Sequence, residues 1–399
     1  MKGSKTQREA LYEVVMYDPD TDTRAFLVVD SLQNGMAGGG IRMTPSVTLD
    51  EVRRLARAMT YKFSAVRVPA GGAKSGIVAD PASPRKEQHL VSFARMIKPF
   101  LQELYIAGED MGTTAQDLAR IYAEVGFSWA KMAKEKMAQR GIELPIPDDF
   151  DPSSAGGENL EEILTGYGIA EVTEEACHLL GMDPADSRVV IQGFGTVGSM
   201  TAHFLSQKGF SIVGVADVQG TLYRPEGLPL EAMLAAKDHM GNIDRGKLDF
   251  SYEHLHRDRW LELDAEILIP AAVADTIHEG NVDQIRGRLV VEGANIPVTD
   301  EAEAVLHRKG VAVVPDFIAN AGAAGGLGMI LTGQVPLDPG KILAELGRRL
   351  RETTREVLGR SLEENRMPRQ VAVTLAEERL ETTSPFGPPG GCSIKGKGV

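Results

Sequence analysis

From about Thr165 onward, short apolar runs alternate with helix-length amphipathic stretches. The runs are Val189-Val190-Ile191, Ile212-Val213-Gly214-Val215, Ile267-Leu268-Ile269, Leu289-Val290-Val291 and Val311-Ala312-Val313-Val314. Alternation of this kind predicts the strands of a parallel sheet with helices packed on it. The first third of the chain has a different pattern. Leu11 to Tyr17 and Arg24 to Val29 are β-rich runs on either side of Asp18-Pro19-Asp20-Thr21-Asp22, which predicts a hairpin. Thr48 to Val66 predicts a helix opening on Thr48 and Glu51 as a capping box, with Val52, Leu55, Met59 and Val66 as its apolar stripe. A loop at Gly71, a strand around Ile77-Val78, a helix from about Glu87 to Tyr105 and a helix capped by Thr113 and Gln116 follow. Residues 341 to 359 form a further amphipathic helix. The fold class expected is α/β with two domains: an N-terminal α/β domain and a doubly wound parallel-sheet domain.

Residues 127 to 160 interrupt this rhythm. A charged helix candidate, Ala130 to Gln139, leads into Pro145, Pro147, Asp148, Asp149, Asp151 and Pro152, then Ser153 to Gly157. The composition predicts a solvated, loosely ordered excursion or lid. The tail over 386–399, rich in Gly and Pro, reads as disordered.

Composition narrows the function classes. The 399 residues are 43% hydrophobic and 25% charged, ordinary for a globular protein. A net charge of −13 argues against nucleic-acid binding through a basic surface. No apolar run reaches the length of a membrane span, and the polar start Met1 to Thr6 lacks a signal-peptide core. Only Cys177 and Cys392 occur, and the eight His show no ligand spacing, so neither a disulfide framework nor a metal site is expected. A cytoplasmic location fits.

Candidate chemistry begins at Pro69-Ala70-Gly71-Gly72-Ala73-Lys74-Ser75-Gly76. Small residues around Lys74 suggest a backbone that bends tightly and holds the lysine close to apolar surroundings, where desolvation lowers an ammonium pKa. A phosphate cradle of the Walker type is excluded, because Ala73 precedes the lysine and Pro69 stands where a glycine is needed. Lys62, twelve residues upstream, lies in the apolar stripe of its helix. There it either snorkels at the rim or meets an anion.

A second constellation follows the strand Val189-Val190-Ile191. Gly193-Phe194-Gly195-Thr196-Val197-Gly198 runs into a helix, and Asp217 ends the next strand. Glycines in this position let backbone amides and a helix N-terminus approach a pyrophosphate, while the acid accepts ribose hydroxyls. A carboxylate there repels a 2′-phosphate, so NAD is expected over NADP. Pro270-Ala271-Ala272, Glu292-Gly293-Ala294-Asn295 and Pro315-Asp316 end the later strands, with Asn320 on the loop beyond. Ligands bind at that edge of an open parallel sheet. Asn295 and Asn320 are candidates to orient a carboxamide or a carboxylate.

These residues resemble the glutamate/leucine/phenylalanine/valine dehydrogenase family. The matching motifs are Gly39-Gly40-Ile41-Arg42, Met59-Thr60-Tyr61-Lys62, Gly71 to Lys74, Gly108-Glu109-Asp110-Met111-Gly112-Thr113, Thr165-Gly166-Tyr167-Gly168, Gly193 to Gly198, Glu292 to Asn295 and Pro315 to Gly322. They run in family order over roughly residues 10 to 125 and 160 to 360. The resemblance implies NAD(P)-dependent oxidative deamination of an L-amino acid to a 2-oxo acid and ammonia, and the reverse reductive amination. It implies Lys62 as the grip on the α-carboxylate, Lys74 as the lysine that activates water, and Asp110 as the carboxylate that exchanges protons with the amino group. Around the substrate it adds Gly38, Gly39, Gly108, Asn320 and the position of Leu327. Around the cofactor it assigns Thr165, Gly193, Phe194, Gly195, Thr196, Val197, Gly198, Asp217, Ala271, Asn295 and Asn320. A homo-oligomer, hexameric or octameric, is implied, as are residues 1–165 for substrate binding and assembly, 166–338 for NAD, and 339–385 returning to the N-terminal domain.

Two departures bear on the substrate. Glutamate-using relatives carry a lysine where this chain has Gly38, and a serine where counting gives Leu327. Without those partners a second carboxylate is disfavoured, which predicts an apolar amino acid. Gly38 and Gly108 are expected to leave room in the pocket. Glutamate turnover in a rearranged pocket, or a silent NAD-binding sensor or assembly subunit, are the alternatives.

Overall fold

The computed structural model describes residues 9–150, 160–238 and 241–381. Two sheets organise the chain. The first is built from β1 (Tyr12–Asp18), β2 (Thr23–Val29), β3 (Ala37–Thr44), then, after helix α1 (Leu49–Ala65), β4 (Gly71–Val78), and after α2 (Lys86–Glu103), β5 (Tyr105–Glu109). Its strand order is β1-β2-β4-β3-β5. The β1–β2 hairpin is antiparallel, β4 is antiparallel to β2, and β3 runs parallel to both β4 and β5.

The expected glycine loop at 71–76 is a strand, β4, in the middle of this sheet. Its glycines serve close approach rather than bending. A Cβ on Gly72 would overlap the Thr60 amide nitrogen and the Ala56 carbonyl, so α1 can lie directly across β4 only because none is there. This contact delivers Lys62, on α1, and Lys74, on β4, to the same neighbourhood.

Helix caps differ from the sequence reading in detail. Thr48 caps α1 by accepting from the Glu51 amide, but the Glu51 carboxylate turns to Arg42 instead of closing the box. Helix α3 (Ala115–Val125) is capped by Thr114 and Asp117, not by Thr113 and Gln116. Thr113 donates instead to the Ile41 carbonyl at 2.7 Å and accepts from the Asp110 amide, pinning the loop after β5.

Helix α4 (Trp129–Ala138) and α5 (Leu160–Leu179) lead to the second sheet. There β6 (Arg188–Gln192), α6 (Thr196–Gln207), β7 (Ser211–Asp217), β8 (Gly220–Tyr223), α7 (Leu230–Ala236), β9 (Glu253–Leu255), β10 (Ile267–Pro270), β11 (Leu289–Val291), α8 (Asp300–Arg308) and β12 (Ala312–Val314) follow in turn. The order is β12-β11-β10-β6-β7-β8-β9. The five strands read from the sequence, β6, β7, β10, β11 and β12, are the parallel ones. β8 and β9 extend the edge antiparallel. Helices α9 (Asp316–Ala319), α10 (Gly322–Leu331), α11 (Pro339–Glu364) and α12 (Pro368–Glu381) complete the chain. Helix α12 reaches back to α1: Arg379 donates to the Ser64 carbonyl at 2.9 Å, and the Ser64 hydroxyl donates to the Ala376 carbonyl.

The excursion is solvated on one face only where it is described, with Lys131, Glu135, Gly141 to Glu143 and Pro147 to Asp149 exposed. Ala130, Ala133, Met137, Leu144, Ile146 and Phe150 are buried in the main core, together with Leu164, Leu331 and Val335. The periodic charge of 131–136 hid an apolar face on the same helix. The part of this segment at 151–159, and the expected disordered tail at 386–399, lie outside the described residues.

Candidate active site

A cleft of about 470 Å³ lies between the two sheets. From the N-terminal side it is lined by Gly38, Gly39, Gly40, Lys62, Phe63, Lys74, Gly108 and Asp110; from the other by Thr165, Val197, Ala271, Asn295, Asn320 and Leu327.

Lys74 is 5% exposed and donates to Asp110 Oδ1 at 2.8 Å. Arg42 donates to the other oxygen, Oδ2, at 2.6 Å and with its Nη1 to Glu51 at 2.6 Å. Burial alone would raise the Asp110 pKa; the adjacent Lys74 and Arg42 cations outweigh it and hold the carboxyl at about 2. Asp110 therefore is a carboxylate clamped by two cations, and its side chain caps no helix. The same crowding explains Gly40. A Cβ there would sit 2.9 Å from Lys74 Nζ and 2.9 Å from Asp110 Cβ.

Lys62 meets an amide in place of an anion. Its Nζ donates to Asn295 Oδ1 at 2.9 Å, and burial draws its pKa down to about 8, assisted by Lys74 and opposed by Asp316 and Asp110. The expected division of labour between the lysines thus changes: Lys74 is the ion-paired one, and Lys62, set against a neutral amide, has its pKa drawn down. Asn320 donates to the carbonyls of Gly293 and Ala294 and to Asn295 Oδ1 at 3.2 Å, while its own Oδ1 is buried without a hydrogen-bond partner. A buried, unpaired acceptor at the cleft wall suits a donor such as a carboxamide or an ammonium.

The glycine turn after β6 has the form the sequence predicts. Gly193 takes φ +94°, Gly195 caps α6, and Gly198 packs against the Gly193 carbonyl so closely that a Cβ would overlap it. Phe194 points its ring into the core. Only its backbone is available to a ligand. Asp217, expected to face a ribose, is held by Arg245 through both oxygens and by the Ile243 and Gln219 amides. Burial raises its pKa, but Arg245 and those amides prevail and lower it. Gly241 rests on the Phe194–Gly195 peptide, where a Cβ would collide.

Comparison with known proteins agrees with this geometry. Residues 12–126 match the dimerisation domain of the Glu/Leu/Phe/Val dehydrogenases, and residues 156–384 match Glutamate/Leucine/Phenylalanine/Valine dehydrogenase itself. The chain belongs to this family. It is 34% identical over 309 residues to a glutamate dehydrogenase of Thermotoga maritima, covering 74% of this chain and 69% of that one. It is 32% identical over 333 residues to an NADP-specific glutamate dehydrogenase of Saccharolobus shibatae, covering 81% and 75%. The leucine-bound hetero-hexameric glutamate dehydrogenase of Thermus thermophilus superposes with a TM-score of 0.75 at 28% identity, covering 93% of this chain and 88% of that one. As a member of the family the chain is an amino-acid dehydrogenase, an oxidoreductase acting on CH–NH2 donors.

Within this dehydrogenase the cleft gathers Lys62, Lys74, Asp110, Gly38, Gly39, Gly108, Thr165, Val197, Ala271, Asn295, Asn320 and Leu327. Gly193, Phe194, Gly195, Thr196, Gly198 and Asp217 stand outside its lining. Gly108 is open on its Cβ side, as expected. Gly38 is not. The Phe63 ring occupies the space a Cβ would take, at 2.9 Å, so the missing side chain admits an aromatic wall instead of enlarging the pocket. None of the described residues of the 127–150 segment lines the cleft, which removes the lid reading for them. Sequence reasoning gave no role to Arg42, although it follows Gly40 by two and so shares its strand face. It also passed over Arg245 and Arg369, for which single arginines in polar stretches offer no signal.

Proposed function

We propose that this dehydrogenase deaminates an L-amino acid with an apolar side chain. The observation carrying the proposal is the charge inventory of the cleft. Lys62 and Lys74 are the basic residues lining it, and Lys74 is already paired with Asp110. Lys62 then serves the α-carboxylate, and among the described residues lining the cleft no cation remains for a second one. The wall beyond is Met36, Phe63, Ile106, Leu327 and Leu331, and the remaining charged residue of the lining is Glu109, of the wrong sign. An unpartnered buried charge costs about 3–5 kcal/mol, which is at least about 100-fold in discrimination.

The reaction converts amino acid, oxidised dinucleotide and water to 2-oxo acid, ammonium, reduced dinucleotide and a proton. The dinucleotide supplies the hydride acceptor when bound. The Gly193–Gly198 turn, Thr165, Val197, Ala271 and Asn320 are the residues that would hold it, and the unpaired Asn320 oxygen fits a carboxamide donor. Lys62 holds the α-carboxylate in place. Asp110, released from one of its cations as substrate enters, takes a proton from the substrate ammonium. Lys74 positions water for attack on the imine carbon and stabilises the carbinolamine that forms.

For the cofactor we propose NAD, with weaker discrimination against NADP than a bare carboxylate gives, because Arg245 neutralises Asp217. Assembly as a homo-oligomer in the cytoplasm, with residues 1–165 supplying the contacts, is part of the same reading. Initial rates on leucine, valine, phenylalanine, tryptophan and glutamate, with each dinucleotide, test it. A preference for glutamate overturns the substrate assignment.

A further inference from the structure

A buried charge cluster lies behind the cleft. Arg369, on α12, donates to Glu292 at 2.5 Å, to Glu303 at 2.5 Å and to Asp316 at 3.1 Å. All three carboxylates are at most 2% exposed. Glu292 also accepts from the Asp316 amide at 2.8 Å, and Asp316 Oδ2 accepts from the Ile296 amide at 3.0 Å. Ile296 adopts φ +50°, a left-handed conformation that a β-branched residue rarely takes. Such a residue persists only where its surroundings hold it.

The cluster therefore grips both ends of one short segment. Glu292 opens it, Ile296 closes it, and Asn295 between them reaches Lys62 at 2.9 Å and Asn320 at 3.2 Å. The same helix α12 fastens the other side of the cleft. Arg379 binds the carbonyls of Ser64 and Ala65, at the end of the helix that carries Lys62. Arg369 further lies 5.9 Å from the centre of the Phe317 ring, which packs at a tilt, 5.3 Å between centroids, against Tyr61, the neighbour of Lys62.

We propose that Arg369 is a positioning residue of the active site: by gripping Glu292 and Asp316 it holds residues 292–296 in the turn that presents Asn295 to Lys62. This rests on the reading that Asn295 faces the ligands. Release of the guanidinium frees Ile296 to return to an extended conformation, which swings Asn295 away from the lysine while the sheet behind it stays intact.

The test is a double-mutant cycle on the full-length enzyme, followed by the KM for the 2-oxo acid and for the dinucleotide, and by kcat. Asn295→Ala is expected to raise at least one KM about tenfold, the worth of one charge-assisted hydrogen bond. Arg369→Met is expected to raise the same KM to a similar extent, Arg369→Lys to recover part of it, and Arg369→Met to add less than about twofold in the Asn295→Ala background. If Arg369→Met does not fold, Asp316→Asn, which weakens the hold on Ile296, carries the same cycle. A KM raised by Asn295→Ala but untouched by Arg369→Met, or effects that multiply, overturns the positioning role alone. An Asn295→Ala enzyme with both KM values unchanged overturns the reading of Asn295, and the proposal with it.

Discussion

Lys74 and Asp110 meet at 2.8 Å across the gap between β4 and the end of β5, and the pair closes because residue 40 on the strand between them has no side chain. Lys74 brings the donor, Asp110 the acceptor, and Arg42 on the same strand as Gly40 holds the second carboxylate oxygen. With its pKa held at about 2, Asp110 is ionised throughout the working range; in the proposed reaction it accepts a proton only when one of its cations turns to substrate.

Removing either partner should therefore stop chemistry more than binding. Lys74→Ala and Asp110→Asn are expected to lower kcat by about 10²–10⁴, with the KM for amino acid changed much less. Gly40→Ala should reproduce the kcat loss with Lys74 and Asp110 still in the chain, because its methyl would meet the Glu109 carbonyl at 2.5 Å and Asp110 Cβ and Lys74 Nζ at 2.9 Å, and so displace the pair. Steady-state kinetics on the three variants, with circular dichroism to confirm folding, checks this. A Gly40→Ala enzyme with full kcat contradicts the spacing argument.

The parallel sheet was legible because its strands are short apolar runs bounded by turns, as at Val189 to Ile191 and Leu289 to Val291. Lys62 and Lys74 were legible because polar groups in small or apolar surroundings stand out in one dimension, whereas Asp110 came only through the family resemblance. The pairing of those groups was not. Which lysine meets a carboxylate depends on β3 passing between β4 and β5, a long-range fact of topology. Gly71 to Gly76 reads as a bend but forms β4, because small residues mark turns and close packing alike. Arg369 was invisible, since three carboxylates from residues 292, 303 and 316 converge on it only after the sheet has formed.

The 127–150 segment should behave as core. Met137 is 1% exposed and packs in the main cluster, so Met137→Ala is expected to destabilise the protein by about 2–5 kcal/mol. Its KM values should stay close to wild type, since the segment does not line the cleft. Chemical denaturation monitored by tryptophan fluorescence measures the first, initial rates the second. A variant with unchanged stability and an altered KM would restore the lid interpretation.

Arg245 should set the cofactor preference. It contacts both oxygens of Asp217, and its Nε is buried without a partner. Arg245→Gln uncovers the Asp217 charge, so binding of NADPH is expected to weaken about tenfold or more relative to NADH. Quenching titrations with the two reduced dinucleotides measure the ratio directly. An unchanged ratio would mean that the 2′-position of the ribose lies elsewhere.

The pH dependence of substrate binding should report Lys62. Its pKa is drawn down to about 8 by burial, with Lys74 lowering it further and Asp316 and Asp110 working against the shift. Below that pH the side chain is an ammonium and grips a carboxylate; above it the neutral amine does not. A 2-oxo acid is the suitable probe, since it has no group of its own that titrates in this range. Its KM is expected to stay level from pH 6.5 to about 7.5 and to climb towards tenfold per pH unit above 8. Lys62→Met should raise the KM at pH 7 by about 10- to 100-fold, the worth of a charge-assisted hydrogen bond, and abolish the break near pH 8. A profile that keeps its break in the Lys62→Met enzyme would assign the titration to another group and return the carboxylate to a different cation.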